Sequence, residues 1–216
     1  MSKKEFIKRF LLFVVGLFFS GLGIAFSKQA DLGISTISSM PNVLSVKFDF
    51  LSFGMWSAIT NCLMLLAQII ILRKNFKLLQ LLQIPLSFVF GFFCDIGLLI
   101  VSPIPTPNYF VKMLLVLVGV VVLGFGIALA VIANILYNSG EGLVKAISDT
   151  TKKNFGKTKI VFDICWVVIA AVLSWLFFGK IVGIREGTLI AALLTGWVVN
   201  LITKPLNKPL NNLLRK

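Results

Sequence analysis

The chain has 216 residues, of which 58% are hydrophobic and 13% are charged, and its formal net charge is +13. A soluble domain of this size cannot bury so much apolar surface, which excludes a soluble enzyme and a disordered chain and predicts an all-α protein with the lipid bilayer as its solvent. The sequence has no histidine, which excludes a Ser–His hydrolase.

Six apolar runs are long enough to cross a bilayer, which takes about 20 residues. We predict transmembrane helices over residues 8–27, 54–72, 79–101, 111–133, 160–179 and 187–203.

The first run follows two lysines, as in a signal peptide. It is long and is followed by no small-residue cleavage pattern, so we expect it to be retained as a helix.

The basic residues predict the orientation of these spans. With both termini in the cytoplasm, 16 of the 21 lysines and arginines lie on the cytoplasmic side. This excess is typical of cytoplasmic loops and favours six spans with both ends inside. It accounts for the positive charge without a nucleic-acid partner, and we expect none. The same basic side is suited to anionic lipid headgroups.

The second half of the chain repeats the first at a spacing of 103 residues. The matched glycines of the first span in each copy are Gly16, Gly21 and Gly23 with Gly119, Gly124 and Gly126. After a slip of two residues, Gly91 matches Gly196 and Asp95 matches Asn200. Each copy has three spans, so the copies must cross the membrane in opposite directions. We predict two inverted three-helix repeats, residues 1–104 and 105–216, with a small-molecule site between them near mid-membrane.

A connection of about 25 residues follows the first span of each copy, over residues 28–53 and 134–159. Both connections are too long and too apolar for plain loops, and each predicts a glycine break followed by a short helix. Ser35 and Asn138 stand at equivalent positions and are good N-cap residues. Re-entrant helices would direct free N–H groups at an anion or carboxylate in the membrane. The alternative is that both helices lie flat at the two interfaces.

The candidate solute-binding residues follow from these helix starts. They are Gly33, Ser35, Ser38, Asn138, Ser139, Gly140 and Glu141.

Two acidic residues, Asp95 and Glu141, are candidates for ion or proton coupling. An aspartate at the bilayer centre costs about 2.5–3.5 kcal/mol, so protein or water should satisfy Asp95. The alternative places Asp95 near the end of its helix, in reach of headgroup water. Glu141 could instead complete a capping box with Asn138. A third acid, Asp163, is expected to pair with a neighbouring lysine.

Five segments resemble the bacterial YczE/YitT-like integral membrane proteins. They are Arg9-Phe10 before the glycine-rich helix, Ala30–Ser35, Phe53-Gly54, Leu81–Pro85 and Gly91–Asp95. The resemblance covers nearly the whole chain. It implies a short multi-pass protein of the bacterial cytoplasmic membrane, and it implies no substrate, cofactor or catalytic residue.

These features favour a small secondary transporter or permease for a small polar, anionic or zwitterionic solute. The sequence has no glycine-rich phosphate loop, which excludes an ATPase motor within the chain. Three cysteines in apolar runs predict neither a disulfide nor a metal site, and we expect no cofactor.

The alternative is a non-transporting membrane factor, such as a lipid-binding, assembly or regulatory subunit. A channel and an intramembrane enzyme are weaker alternatives, and so small a bundle is suited to a homodimer.

Overall fold

The computed structural model describes residues 2–215, with side chains as far as Leu214. These residues form eight α-helices, two short 3-10 helices and no strand. The α-helices are α1 (Lys3–Ala30), α2 (Ser39–Lys47), α3 (Phe53–Leu72), α4 (Gln83–Val101), α5 (Tyr109–Ala133), α6 (Ser139–Thr151), α7 (Phe155–Phe178) and α8 (Glu186–Arg215). The 3-10 helices, Arg73–Asn75 and Leu78–Leu82, connect α3 to α4.

Six of the helices, α1, α3, α4, α5, α7 and α8, are long and apolar enough to cross a membrane. This confirms the predicted all-α protein with six helices that are long and apolar enough to span a membrane. Three helices, α1, α7 and α8, were predicted too short, and α1 begins at Lys3 rather than at residue 8. Helix α7 begins five residues earlier than expected because Asn154 caps it, its Oδ1 accepting hydrogen bonds from the backbone N–H groups of Gly156 and Lys157.

The last helix runs well beyond residue 203, through Pro205 and Pro209. Each proline removes a backbone donor and would normally end or kink a helix. Contacts with the rest of the bundle stabilise the continuation: Arg9 Nη2 donates a hydrogen bond to Asn211 Oδ1 at 2.9 Å, and Leu214 is buried. The start of α1 and the end of α8 therefore lie at the same end of the bundle.

Helices α1 and α5 cross antiparallel at the centre and form the largest helix–helix contact. Glycines allow the close approach: a Cβ on Gly16 would lie 2.7 Å from the carbonyl oxygen of Gly126, and one on Gly119 would lie 2.7 Å from that of Gly23. Arg9 fixes one end of the pair, because its Nη1 donates to the last carbonyls of α5, at 3.3 Å each. In the repeat, Gly16 corresponds to Gly119 and Gly126 corresponds to Gly23, so each glycine contact is the counterpart of the other.

The remaining helices surround this pair. Helix α1 packs on α4 and α5 packs on α8, while α2 contacts α7 and α6 contacts α3. Helix α2 also contacts α3, and α6 contacts α7. Every contact in this set has a counterpart in the other half of the chain.

The two long connections contain the short helices α2 and α6, as predicted. Ser35 was expected to cap the first of these, and this is wrong: α2 begins one turn later, with Ser38 at its N-cap. Ser35 Oγ donates to Ser38 Oγ, and Ser39 Oγ donates to the carbonyl oxygen of Thr36. Such local side-chain bonds stabilise a turn at the expense of helix.

The preceding long helices, α1 and α5, end in the same way. Asp31 follows α1 with φ of 54°, and Asn134 follows α5 with φ of 50°. These residues are equivalent in the repeat, and both are types that tolerate the left-handed region. The chain direction thus changes at equivalent points in the two halves.

Candidate functional site

A cavity of about 560 Å³, the central cavity, lies between the two halves of the chain. Its walls come from α1, α3, α4, α5, α7 and α8 and from the starts of α2 and α6. Most of the lining is apolar, including Phe13, Leu17, Phe90, Leu123 and Ile127. An apolar cavity with a few polar groups is the usual form of a small-molecule site.

The starts of the two short helices meet at this cavity. Six of the predicted solute-binding residues line it: Ser35, Ser38, Asn138, Ser139, Gly140 and Glu141. The helix starts also touch, because a Cβ on Gly140 would lie 2.5 Å from Ile37 Cδ1. Ile37 and Gly140 are equivalent positions of the repeat.

The other two predicted site residues lie elsewhere. Gly33, with φ of 99°, packs against the chain before α8, where a Cβ would lie 2.8 Å from the backbone nitrogen of Arg185. Asp95 is not part of the cavity lining and instead contacts the start of α3.

The start of α6 is held in place by a buried amide pair. Gln68 Nε2 of α3 donates to the carbonyl oxygen of Ser139 at 3.0 Å and to Oε1 of Gln83 at 3.1 Å. Gln68 is fully buried, and Gln83 lines the cavity. Both amides are largely satisfied, so their role is to position α6 against α3 and α4.

Asn138 precedes α6 as predicted but makes no side-chain capping bond, so the capping box with Glu141 does not form. Its Oδ1 is buried without a hydrogen-bond partner. Among side chains as far as Leu214, Glu141 belongs to none of the ion pairs. Two acceptors at the start of α6 therefore face the cavity unpaired.

The charge on α7, which packs against α6, is balanced. Lys159 Nζ of α7 donates to both carboxylate oxygens of Asp163, at 3.1 and 3.0 Å, which confirms the expected pairing of Asp163 with a lysine. With Glu141, these are the three charged residues of the lining. Glu141 therefore carries the unpaired charge.

Two further polar residues of the lining, Ser20 on α1 and Thr195 on α8, were not predicted. Both hydroxyl oxygens are buried without a hydrogen-bond partner, and Ser20 is only 3% exposed. A serine in an apolar helix usually bonds to its own backbone, so the sequence carries no signal that this hydroxyl is left unpaired.

Helices α3 and α4 are closely packed at the contact that we call the α3–α4 seam, formed by Gly54, Gly91 and Asp95. The backbones of Gly54 and Gly91 touch, leaving no room for a Cβ on either. Asp95 Oδ1 accepts the backbone N–H of Gly54 at 2.8 Å, and Oδ2 accepts the hydroxyl of Ser52. Asp95 thus caps the start of α3, where a negative charge is favourable.

The equivalent helices of the second half, α7 and α8, are separated by an opening that we call the α7–α8 gap. Within residues 2–215 they share no contact comparable to the seam. The counterpart of Gly91 is Gly196, where a Cβ would meet nothing within 4 Å. Aligned at the N-caps of α3 and α7, Ser52 and Asn154, Gly156 corresponds to Gly54, and Asn200, which lines the cavity, replaces Asp95.

No three His, Cys, Asp or Glu side chains within the described chain lie close enough together to hold a metal ion. The three cysteines are free thiols.

Comparison with known proteins gives one match. No curated protein and no solved structure matches the chain. A model of a family of unknown function, DUF6198, matches residues 7–204. This match shows no link to the YczE/YitT-like proteins, so that resemblance stays a prediction. Since the matched segment runs from α1 into α8, the chain belongs to the family of unknown function DUF6198.

Proposed function

We propose that this multi-pass membrane protein is a small secondary transporter whose solute binds in the central cavity between two inverted repeats. The observation that carries the proposal is the cavity itself, which takes its walls from both halves and its polar groups from the starts of both short helices. Sites at such interfaces, near discontinuous helices, are typical of secondary transporters.

Contacts between matched positions support the inverted relation. The pair Gly16 and Gly126 and the pair Gly23 and Gly119 occupy exchanged positions. A twofold axis in the membrane plane would produce this exchange. Ile37 touches its own counterpart, Gly140, as expected of residues on such an axis. The meeting of α2 and α6 inside the bundle also favours re-entrant over interfacial short helices.

The seam and the gap support alternating access. The seam closes the cavity between α3 and α4, while the gap leaves it open between α7 and α8. In an inverted repeat, equivalent helix pairs face opposite sides of the membrane. Rocking of one repeat against the other along the α1–α5 crossing would close the gap and open the seam. Asp95, which hydrogen-bonds across the seam, is the proposed coupling residue there, and Glu141 is the one in the cavity.

Uptake into proteoliposomes tests the proposal. We expect saturable uptake of at least one member of a radiolabelled panel of amino acids, primary amines and small carboxylates, driven by a proton or sodium gradient. Gly196→Trp should fill the gap and abolish uptake, because nothing lies within 4 Å of a Cβ there. Leu193→Trp, on the same helix but 79% exposed and outside the lining, is the matched control.

Uptake that does not saturate would indicate a channel, and absence of uptake across the panel would contradict transport. Uptake that survives Gly196→Trp would show that the solute does not use this gap.

A second function, a non-transporting lipid-binding factor, is favoured by one observation. The gap lies between two membrane-spanning helices and leads to mostly apolar walls, so an acyl chain could enter from the bilayer. Native mass spectrometry distinguishes the two proposals. A stoichiometric lipid that Gly196→Trp displaces, together with absence of uptake, would support the lipid-binding factor.

A further inference from the structure

The central cavity contains hydrogen-bonding groups that the protein leaves unused. Ser20 Oγ, Asn138 Oδ1 and Thr195 Oγ1 all line it and are buried without a partner. A buried polar atom left without a partner costs about 1–3 kcal/mol. Three such atoms around one cavity can offer hydrogen bonds to a bound molecule.

The charge of the lining points to the kind of molecule. Lys159 and Asp163 neutralise each other, which leaves the Glu141 carboxylate as the unpaired charge. Glu141 also lies in the first turn of α6, where its negative charge already interacts favourably with the positive end of the helix dipole. A purely anionic solute would therefore face a like charge.

The unpaired acceptors specify the bonding group. Both the Glu141 carboxylate and Asn138 Oδ1 accept hydrogen bonds, and a protonated primary amine offers three donors. The hydroxyls of Ser20 and Thr195 can donate or accept, so they can bind either the amine or a second polar group of the solute.

The apolar walls specify the rest of the molecule. Phe13, Leu17, Leu86 and Phe90 line the cavity beside these polar groups. They offer an apolar surface for a hydrocarbon or aromatic group, whereas a small, fully polar solute would leave this surface in contact with water.

We infer that the solute is an amphipathic primary amine, free or as part of a zwitterion, whose ammonium group binds to Glu141 and Asn138 and whose apolar group packs on the phenylalanines. This inference deepens the proposed function and rests on it for the cavity being a solute site. It assigns two binding residues, Ser20 and Thr195, in addition to those expected from the helix starts.

Binding of three probes of similar shape to the full chain tests the inference. The probes are 2-phenylethylamine, 2-phenylethanol and 3-phenylpropionate, measured by calorimetry in nanodiscs, with empty nanodiscs subtracted. We expect the amine to bind at least tenfold more tightly than the alcohol and the carboxylate. Glu141→Gln should remove this preference. Asp149→Asn, the same change at an exposed residue of α6 outside the lining, should retain it.

Ser20→Ala separates a binding role from a structural one. Removing an unpartnered hydroxyl should leave the unfolding midpoint of the empty protein unchanged or higher. It should weaken amine binding by about threefold to tenfold, the effect of one lost hydrogen bond.

The inference is overturned if the carboxylate binds as tightly as the amine, if no probe binds, or if Glu141→Gln behaves like Asp149→Asn. Failure of transport is a separate result. Amine binding that depends on Glu141, without uptake into proteoliposomes, would refute the transporter and leave the amine site standing.

Discussion

The α3–α4 pair and the α7–α8 pair are equivalent in the two proposed repeats but pack differently. The first pair is closed by two glycines in contact and by a carboxylate that caps α3. In the second pair both glycines have counterparts, Gly156 and Gly196, but the carboxylate is replaced by Asn200, and Gly196 faces open space. The amide of Asn200 carries no charge, so it would interact less strongly with the start of α7 than Asp95 does with the start of α3. This difference predicts that a closed α7–α8 contact would be looser than the seam.

The largest expected effect is at the glycines of the seam. Gly91→Ala should lower the free energy of unfolding by at least about 2 kcal/mol, because its Cβ would overlap the Gly54 backbone, which cannot move aside. Gly196→Ala, the matched change in the gap, should alter it by less than about 1 kcal/mol, within the range of helix propensity. Denaturation in mixed detergent micelles measures both. Equal effects would show that the two pairs are packed alike.

A smaller effect is expected from the carboxylate of the seam. Asp95→Asn should cost about 1–2 kcal/mol, because it removes the charged partner of Ser52 and of the Gly54 N–H. Asn200→Ala, at the equivalent and exposed position, should cost less than about 0.5 kcal/mol. The same denaturation assay compares them. A larger loss at Asn200 would mean that the gap, too, is held by a polar contact.

The smallest expected effect concerns the contact between α7 and the start of α2. Trp166 Nε1 of α7 donates to the carbonyl oxygen of Ile37 at 2.9 Å and holds the start of α2. Trp166→Phe should cost about 1 kcal/mol in unfolding free energy, the typical value of one hydrogen bond. Trp175→Phe on the same helix, at a residue 64% exposed, is the control and should be near neutral. If both variants behave alike, α2 is not anchored through Trp166.

Local patterns made much of the fold predictable. The six spans and the two short helices follow from apolar runs and their interruptions, and Asn138 was correctly placed before α6. The errors have local causes as well. Bonds between serine side chains and their neighbours moved the start of α2 away from Ser35, and packing against Arg9 carried α8 past two prolines.

The site was less predictable, because it depends on which helices meet. The repeat identified Asp95 and Asn200 as equivalents but could not show that one lies in a closed seam and the other beside an open cavity. Ser20 is unremarkable in sequence, since its isolation becomes visible only when α1 and α5 are packed together. The start of α6 was found because Asn138 precedes it, whereas the start of α2 was placed one turn too early, at Ser35.

The central claim is that the seam and the gap are alternative states of equivalent helix pairs. Double electron–electron resonance between spin labels tests it most directly, in a chain with Cys62, Cys94 and Cys165 replaced. One label pair, at the exposed positions Ile160 and Leu201, spans the gap, and another, at Met55 and Leu99, spans the seam. We predict two distances for each label pair. Conditions that increase the population of the short distance across the gap should also increase the population of the long distance across the seam. A single unchanging distance for both pairs, with and without 2-phenylethylamine, would contradict the account.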